Sequence, residues 1–431
     1  MRIGKQQHLY LLIPIPLEHS MKLKQVMIQA ACAALAMGSA AVAFAGTQPN
    51  PSPASPVVVG GGASLPEFLY SSEIAVFGPN HIYAVTGSGG GKTALTTNNP
   101  AAFNAAYVTP RTDTTVHYAG SDSVLSASDI SAFSPRAGTD GALVQIPSVG
   151  TAVGIPFKKT GLSTLTLNDN QLCGVFSGKI TDWSAITGGA VSGPITVVYR
   201  SDGSGTSEIF TRHLNAVCTT GATGNSNVAF VTSTKFTDSF PGGVVPSNFV
   251  GGNLSAGVRD GVGAGNAIGY LSPDYINKTL APLSTVATQN LTAASLVNSN
   301  NGVTYTPSSA NATTALSNLT LPTLSSNLAD PNTWALTVAN PATGYPIAGL
   351  TYLDHVQCYS DATVLNKIQT FLDRHTTYSG TNSNAGRILG NGFAQLPSAL
   401  VSLIRDNLLN NVNGKNVNIG NTTACAGKAG R

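Results

Sequence analysis

Charged side chains are scarce in this chain: Asp, Glu, Lys and Arg make up only 10% of its 431 residues, and aromatic side chains 7%. Lysines and arginines form no run, so the electrostatic footprint of a protein that holds DNA, RNA or an acidic membrane is missing. Cysteines number five, with no C-x-x-C pair and none beside clustered histidines, which excludes a zinc site of ordinary spacing. Beyond residue 45 the histidines are His81, His117, His213, His355 and His375. They are scattered, with no H-x-H, H-x-x-E-H or H-E-x-x-H arrangement, so metal-assisted hydrolysis has no sequence signature and no metal or cofactor is expected. What is plentiful is Gly, Ser, Thr and Asn on a background of 42% hydrophobic residues, too apolar for a disordered chain and long enough for two domains.

The first 45 residues read as a targeting segment. Met21-Lys22-Leu23-Lys24 is a short basic start, residues 25–44 are an Ala-rich apolar run, and Ala43-Phe44-Ala45 is an A-x-A cleavage pattern that makes Gly46 the expected mature N-terminus. Residues 1–20, interrupted by Pro14, Pro16 and Glu18, fit this pattern poorly, and Met21 is read as the start of translation. A membrane anchor is the alternative, but small residues dominate the run and no stop-transfer charges follow, so no integral membrane segment is expected after cleavage. Cys32 lies inside the run without a lipobox, so no lipid anchor is expected either. Arg2, Lys5, Lys22 and Lys24 against Glu18 leave with this segment, so the 22 basic and 19 acidic residues become 18 of each. The exported chain, periplasmic or extracellular, is therefore neutral. Its four remaining cysteines, Cys173, Cys218, Cys358 and Cys425, suggest two disulfides in an oxidising compartment. Three pairings are open; Cys173–Cys218 with Cys358–Cys425 keeps each bridge within one region and is favoured.

After a Pro-rich leader (46–55), Val57-Val58-Val59 reads as a buried strand and Gly60-Gly61-Gly62 as its exit. Ser64 and Glu67 are then spaced as a helix capping box. Strand, glycine turn and helix is the grammar of an α/β sheet, and it repeats. Strand 82–86 runs into Gly87-Ser88-Gly89-Gly90-Gly91 with a helix from Lys92; strand 116–119 ends in Gly120-Ser121-Asp122. Strands are also expected at 143–146, 150–156, 195–199 and 267–271, and helices at 207–217, 362–374 and 397–409. Residues 277–345, with weak periodicity, read as surface excursions on a lobe.

Four segments share one property. Ala63-Ser64-Leu65, Gly87-Ser88-Gly89, Gly120-Ser121-Asp122 and residues 200–206 place small residues and hydroxyls where a strand hands over to a helix. Backbone N–H groups at such edges hold anions through orphan donors and the positive end of the helix dipole. Together they offer Ser and Thr hydroxyls, one Arg and one Asp, a set suited to a small tetrahedral oxyanion. Arg200 supplies paired N–H donors, unless it is a surface residue spent on Asp202. Asp122 repels a bare anion and accepts a proton from a protonated one, unless it is only a turn former.

The same segments resemble the phosphate-binding proteins of ABC transporters, and most closely the secreted DING group. Gly60-Gly61-Gly62-Ala63-Ser64-Leu65-Pro66 is similar to their G-G-G-A-T-L-P with Ser for Thr, and Ala119-Gly120-Ser121-Asp122-Ser123 matches A-G-S-D-S. Residues 143–151, Leu172-Cys173-Gly174-Val175-Phe176-Ser177-Gly178, residues 199–212 and Gln357-Cys358-Tyr359 carry the likeness along nearly all of the mature chain. The Asp-Ile-Asn-Gly terminus of that group is missing, and 277–345 match loosely.

The resemblance implies an α/β, two-lobed Venus-flytrap fold of type II with inorganic phosphate held in the cleft between the lobes. Lobe I would comprise residues 46–147 plus 274–431 and lobe II residues 148–273. Carried over, the ligand contacts would be Ser64, Leu65 through its backbone N–H, Ser88, Asp122, Arg200, Ser204, Gly205 and Thr206. A hinge is expected near residues 145–150 and 269–273. A monomer is implied that captures phosphate either for uptake through an ABC permease or for scavenging, the two left open by the sequence. The enzymatic alternative, an alkaline-phosphatase-like hydrolase, has no evident base beside Ser88 or Ser204, so no catalytic residue is assigned. A nucleotide loop ending in Gly91-Lys92-Thr93 has Thr86 where its first Gly belongs, and a surface adhesin would leave Asp122 and residues 200–206 without a purpose.

Overall fold

The computed structural model describes residues 57–431 except 108, 224–227, 318 and 382. The targeting segment, its cleavage pattern, Cys32 and the Pro-rich leader lie outside the described residues. No helix among the described residues is long and apolar enough to cross a membrane.

The chain builds two sheets in succession. Strands β1 (Val58–Gly62), β2 (His81–Val85), β3 (Tyr118–Ser121) and β4 (Leu143–Ala152) lie in the first. Strands β5 (Ile155–Lys158), β6 (Thr166–Leu167), β7 (Thr196–Arg200), β8 (Phe249–Gly252), β9 (Ala267–Gly269), β10 (Thr292–Val297) and β11 (Thr304–Tyr305) form the second, and β12 (Ala348–Val356) returns to the first. The first sheet runs β2-β1-β3-β12-β4; the second runs β11-β10-β5-β9-β7-β8, with β6 beside β10. β1 pairs in parallel with β2 and β3, and β7 with β8 and β9, so each half has a parallel core with its loops at one edge.

Burial on both faces explains the apolar strand runs. Val58 packs with Leu69, Tyr70 and Tyr118 on one side of the first sheet; Val59 packs with Leu95 and Phe103 on the other. Helix α1 (Glu67–Ile74) covers the former side and α2 (Gly87–Thr97) the latter. In the second half α3 (Asp169–Phe176), α4 (Gly205–Val217) and α5 (Leu254–Gly263) flank the sheet. Disulfides Cys173–Cys218 and Cys358–Cys425 form as favoured, the first tying α3 to the end of α4.

Several expectations need correction. The capping box does not form: α1 begins at Glu67 with Pro66 at its N-cap and no side-chain cap, because Ser64 and Glu67 bond elsewhere. The glycines 87–91 are the first turns of α2, not a loop before it. An added Cβ at Gly91 would sit 2.6 Å from the Cα of Gly62, so only glycine lets this helix approach β1 so closely. The two strands expected at 143–146 and 150–156 are a ten-residue β4 and a separate β5.

Residues 277–345 are more than surface excursions. Their β10 hydrogen-bonds antiparallel to β5, so this stretch joins the second sheet, where the expected boundary gave everything from 274 onward to the first lobe. The passage between sheets falls just beyond the expected hinge residues 145–150, all of which lie in β4. It comes at Val153 and Gly154, where Gly154 bridges Leu271.

Substituting Gly91→Ala should push α2 off β1 and cost about 1–3 kcal/mol in urea unfolding. Gly386→Ala, whose added methyl meets nothing within 4 Å, is the control and should be neutral or slightly stabilising.

Candidate functional site

The predicted residues all stand where parallel strands end. β1 leads to Ser64 and Leu65, β2 to Ser88 on the first turn of α2, β3 to Asp122, and β7 to Arg200 and the turn that opens α4 at Gly205. In open α/β sheets this carboxyl edge is where ligands sit. Ser64, Leu65, Ser88, Asp122, Arg200, Ser204 and Thr206 are each no more than 2% exposed.

Their polar atoms meet across the two sheets. Thr206 donates its hydroxyl to Oδ2 of Asp122 at 3.1 Å, and Arg200 Nη1 donates to Thr206 Oγ1 at 3.4 Å and to Ser255 Oγ at 3.3 Å. Ser255 Oγ lies 2.9 Å from Ser64 Oγ. The Asp122 N–H donates to Ser88 Oγ at 3.1 Å, and the Gly89 N–H donates to the Gly203 carbonyl at 3.0 Å. Gly205 fits only because it lacks a side chain: its Cβ would lie 2.5 Å from the backbone of Asp122. Ser204 is the N-cap of α4, its Oγ accepting from the Ser207 N–H. Leu65 sends its side chain into the core.

Arg200 is not a surface residue spent on Asp202; it is buried and oriented by it. Nε and Nη2 donate to the two Asp202 oxygens at 2.7 and 2.6 Å, which leaves Nη1 turned to Thr206 and Ser255. Burial pulls the guanidinium's pKa down, but Asp202's charge and hydrogen bonds prevail and hold it above its ordinary value. Burial likewise works against Asp202, and Arg200's charge outweighs it, holding that carboxyl below its usual range.

Asp122 behaves oppositely. Desolvation pushes its carboxyl up to about 7, with the Arg200 charge and the Thr206 bond only partly offsetting it. Its Oδ1 is buried with no hydrogen-bond partner among the described residues. Glu67, bonded to the Tyr275 hydroxyl at 2.5 Å, is raised to about 7 by the same burial. A cleft with one fixed cation, one proton-sharing carboxylate and a ring of hydroxyls and amides suits a tetrahedral oxyanion that carries a proton.

Sequence reasoning missed Ser255 beside the site and the Glu67–Tyr275 bond that links the two halves. Ser255 was readable: Gly251-Gly252-Asn253-Leu254-Ser255 after β8 repeats the strand, glycine and hydroxyl pattern of the other segments.

A hydrolytic reading needs a base beside a nucleophile. Ser88 Oγ and Ser204 Oγ accept from backbone N–H groups, with no histidine or carboxylate among their hydrogen-bond partners. His81, His117 and His355 are neutral core residues, pushed down by burial to about 3, 4 and 3. One serine does have triad geometry: Ser148 Oγ lies 2.7 Å from His375 Nε2, whose Nδ1 lies 2.7 Å from Glu73. Yet Ser148 is fully buried and also bonded to Tyr70 at 2.7 Å, and the cavity beside His375 holds about 10 Å³, room for about one water and far too little for a phosphomonoester. No substrate reaches it, and the relay is a core network.

Known proteins resemble this chain along most of its length. Residues 38–371 match the family model for the PBP superfamily domain. A relative from Pseudomonas aeruginosa named alkaline phosphatase L is 41% identical over 373 residues, 85% of this chain and 92% of the relative. A protein named phosphate-binding protein, from an unknown prokaryotic organism, is 38% identical over 86% of this chain and 98% of its own length. Among solved structures, a high-affinity periplasmic phosphate-binding protein (PfluDING) bound with phosphate at pH 8.5 superposes with a TM-score of 0.74 at 37% identity, covering 87% of this chain and 99% of that one.

The raised Asp122 carboxyl has a stability consequence. The folded state binds its proton more tightly than the unfolded state, so this contribution is present below the unfolded value of 3.8 and is lost as pH rises through about 7. In ligand-free protein, Asp122→Asn should therefore raise stability by about 1–3 kcal/mol at pH 8 and change it little at pH 4.5. Chemical denaturation at the two pH values checks it; a loss of stability at pH 8 would count against this electrostatic reading.

Proposed function

The chain belongs to the PBP superfamily, and from that we propose that it is an exported protein that captures inorganic phosphate between its two sheets without changing it chemically. The observation that carries this reading is the buried Asp122 oxygen with no partner among the described residues, on a carboxylate that accepts from Thr206, which in turn accepts from Arg200. Phosphate at neutral pH keeps a proton and donates it to Asp122; sulfate has none and meets bare repulsion.

In this reading Arg200 Nη1 and the Thr206, Ser64, Ser88 and Ser204 hydroxyls hold the phosphate oxygens. The backbone N–H groups of Leu65, Gly205 and Thr206 complete the shell, those of α4 adding the positive end of its dipole. The first lobe comprises the β1–β4 region and the C-terminal part from β12; the second comprises β5–β11. The lobes close about the strands that pass between the sheets near Val153 and Leu271. The protein works as a monomer in the periplasm or outside the cell, delivering phosphate to an ABC permease or scavenging it.

The name alkaline phosphatase L on the Pseudomonas relative keeps a second reading open: a phosphomonoesterase whose product site is this cleft. The Ser88 and Ser204 hydrogen bonds give that reading no activated nucleophile. Turnover of a phosphomonoester that persists through exhaustive purification and falls with Arg200→Ala would favour it.

Calorimetry on refolded, phosphate-stripped protein tests the main reading. Phosphate should bind at one site per chain, tighter than sulfate by roughly three orders of magnitude. Asp122→Asn should narrow that gap, whereas Arg200→Ala should weaken both anions. An unchanged phosphate-to-sulfate ratio in Asp122→Asn would reduce Asp122 to a structural turn residue.

A further inference from the structure

Beyond the residues assigned to the cleft by its strand ends, one more side chain sits among them. Ser255, 1% exposed, stands at the second residue of α5 in the second half, while Ser64 follows β1 in the first. The two are joined twice: Oγ to Oγ at 2.9 Å, and the Ser255 N–H to Ser64 Oγ at 3.1 Å. The same Ser255 hydroxyl accepts from Arg200 Nη1 at 3.3 Å.

The local backbone is strained to place it there. Leu254 has φ of 58°, a left-handed conformation that costs a branched residue of order 1 kcal/mol and persists only where the surroundings hold it. What holds it is Asp202: its Oδ1 accepts from the Leu254 N–H at 2.9 Å and from Arg200 Nε at 2.7 Å. One carboxylate thus fixes both the guanidinium and the turn that presents Ser255. Strain at a non-glycine residue, anchored by the cleft's own ion pair, marks a turn kept for position rather than for packing.

We propose that Ser255 is a closure latch and a positioning residue of the phosphate site: it clamps Ser64 to the second lobe and steers Arg200 Nη1 while the lobes are shut. This rests on the phosphate reading above. The latch forms only when the lobes meet, so it slows phosphate release without affecting encounter. Ser255→Ala removes the hydroxyl and one of the two links to Ser64. Ser255→Cys keeps nearly the same volume but offers a weak donor and acceptor, which covers the case in which alanine disturbs folding.

The test is stopped-flow phosphate binding and release on the intact protein, with small-angle scattering of the ligand-free form. Both variants should raise the release rate roughly tenfold and leave the association rate within about twofold. In a Ser64→Ala background, Ser255→Ala should raise it less than about threefold, since the partner is already gone. A wild type that binds phosphate, with variants whose release rates stay within about twofold of it or whose association rates fall instead, overturns the latch. If the wild type does not bind phosphate, the ligand reading fails, and scattering then decides the latch. Ligand-free Ser255→Ala should be more extended than wild type, and superimposable profiles overturn it.

Discussion

The ion pair between Arg200 and Asp202 is the constraint around which the cleft is arranged. A guanidinium removed from water is costly unless its charge is matched and its donors are used. Asp202 takes two of the donors in a bidentate fork, and the remaining nitrogen is left as a single aimed donor. Because Asp202 also accepts from Leu254, the position of Arg200 is transmitted to the first turn of α5. β7 and β8 pair in parallel from Val197 with Phe249 to Arg200 with Gly252, so the strand that carries the arginine and the turn that carries Ser255 share a register. The pair fixes geometry more than it adds charge, since Asp202 cancels most of the field that Arg200 would project.

In the phosphate reading proposed above, that near-cancellation explains how a chain with so few charges would hold an anion selectively. A strongly positive cleft would attract every anion. Here the attraction is distributed over hydroxyls, backbone amides and helix N-termini, each weak in water and stronger once water is excluded. In that reading Asp122 adds a repulsive element that only a proton-bearing ligand would relieve. Selectivity arises from that penalty on the wrong anion as much as from attraction to the right one.

Much of this was legible in the sequence. Strand, glycine and hydroxyl repeats located the edges of both sheets, because a tight exit from a parallel strand requires small residues and an anion site requires donors there. Arg200 and Asp122 stood out since each is an ill-fitting charge in a neutral, small-residue context. What was not legible follows from tertiary override. Ser64 and Glu67 have the spacing of a capping box, yet Ser64 bonds to Ser255 and Glu67 to Tyr275, long-range partners that sequence spacing cannot reveal. β10 alternates in burial, but its inward residues are Ala294 and Leu296 and only the second is large, so its pairing with β5 was hidden in a Ser- and Asn-rich stretch. Ser255, by contrast, carries the readable strand, glycine and hydroxyl pattern and was passed over because Asn253 and Leu254 separate the glycines from the serine; only the left-handed conformation of Leu254 has no local signal.

In the phosphate reading proposed above, the protein must also let go. Hydrogen bonds that cross between the two halves here include Ser64 with Ser255, Thr206 with Asp122, Gly89 with Gly203 and Glu67 with Tyr275. Each contributes net about 0.5–1.5 kcal/mol, so together they hold the lobes shut by only a few kcal/mol. Against this stands the burial of Asp122 and Glu67, two carboxyls whose ionised forms are disfavoured in the closed cleft and regain water when it opens. The closed arrangement is thus balanced between hydrogen bonds that favour it and buried acids that oppose it. A ligand that bridges both halves and gives Asp122 a proton tips that balance at the point where the opposition is greatest. In the proposed reading, tight capture and reversible opening would therefore depend on the same carboxylate, which would explain why a repulsive group belongs in an anion site.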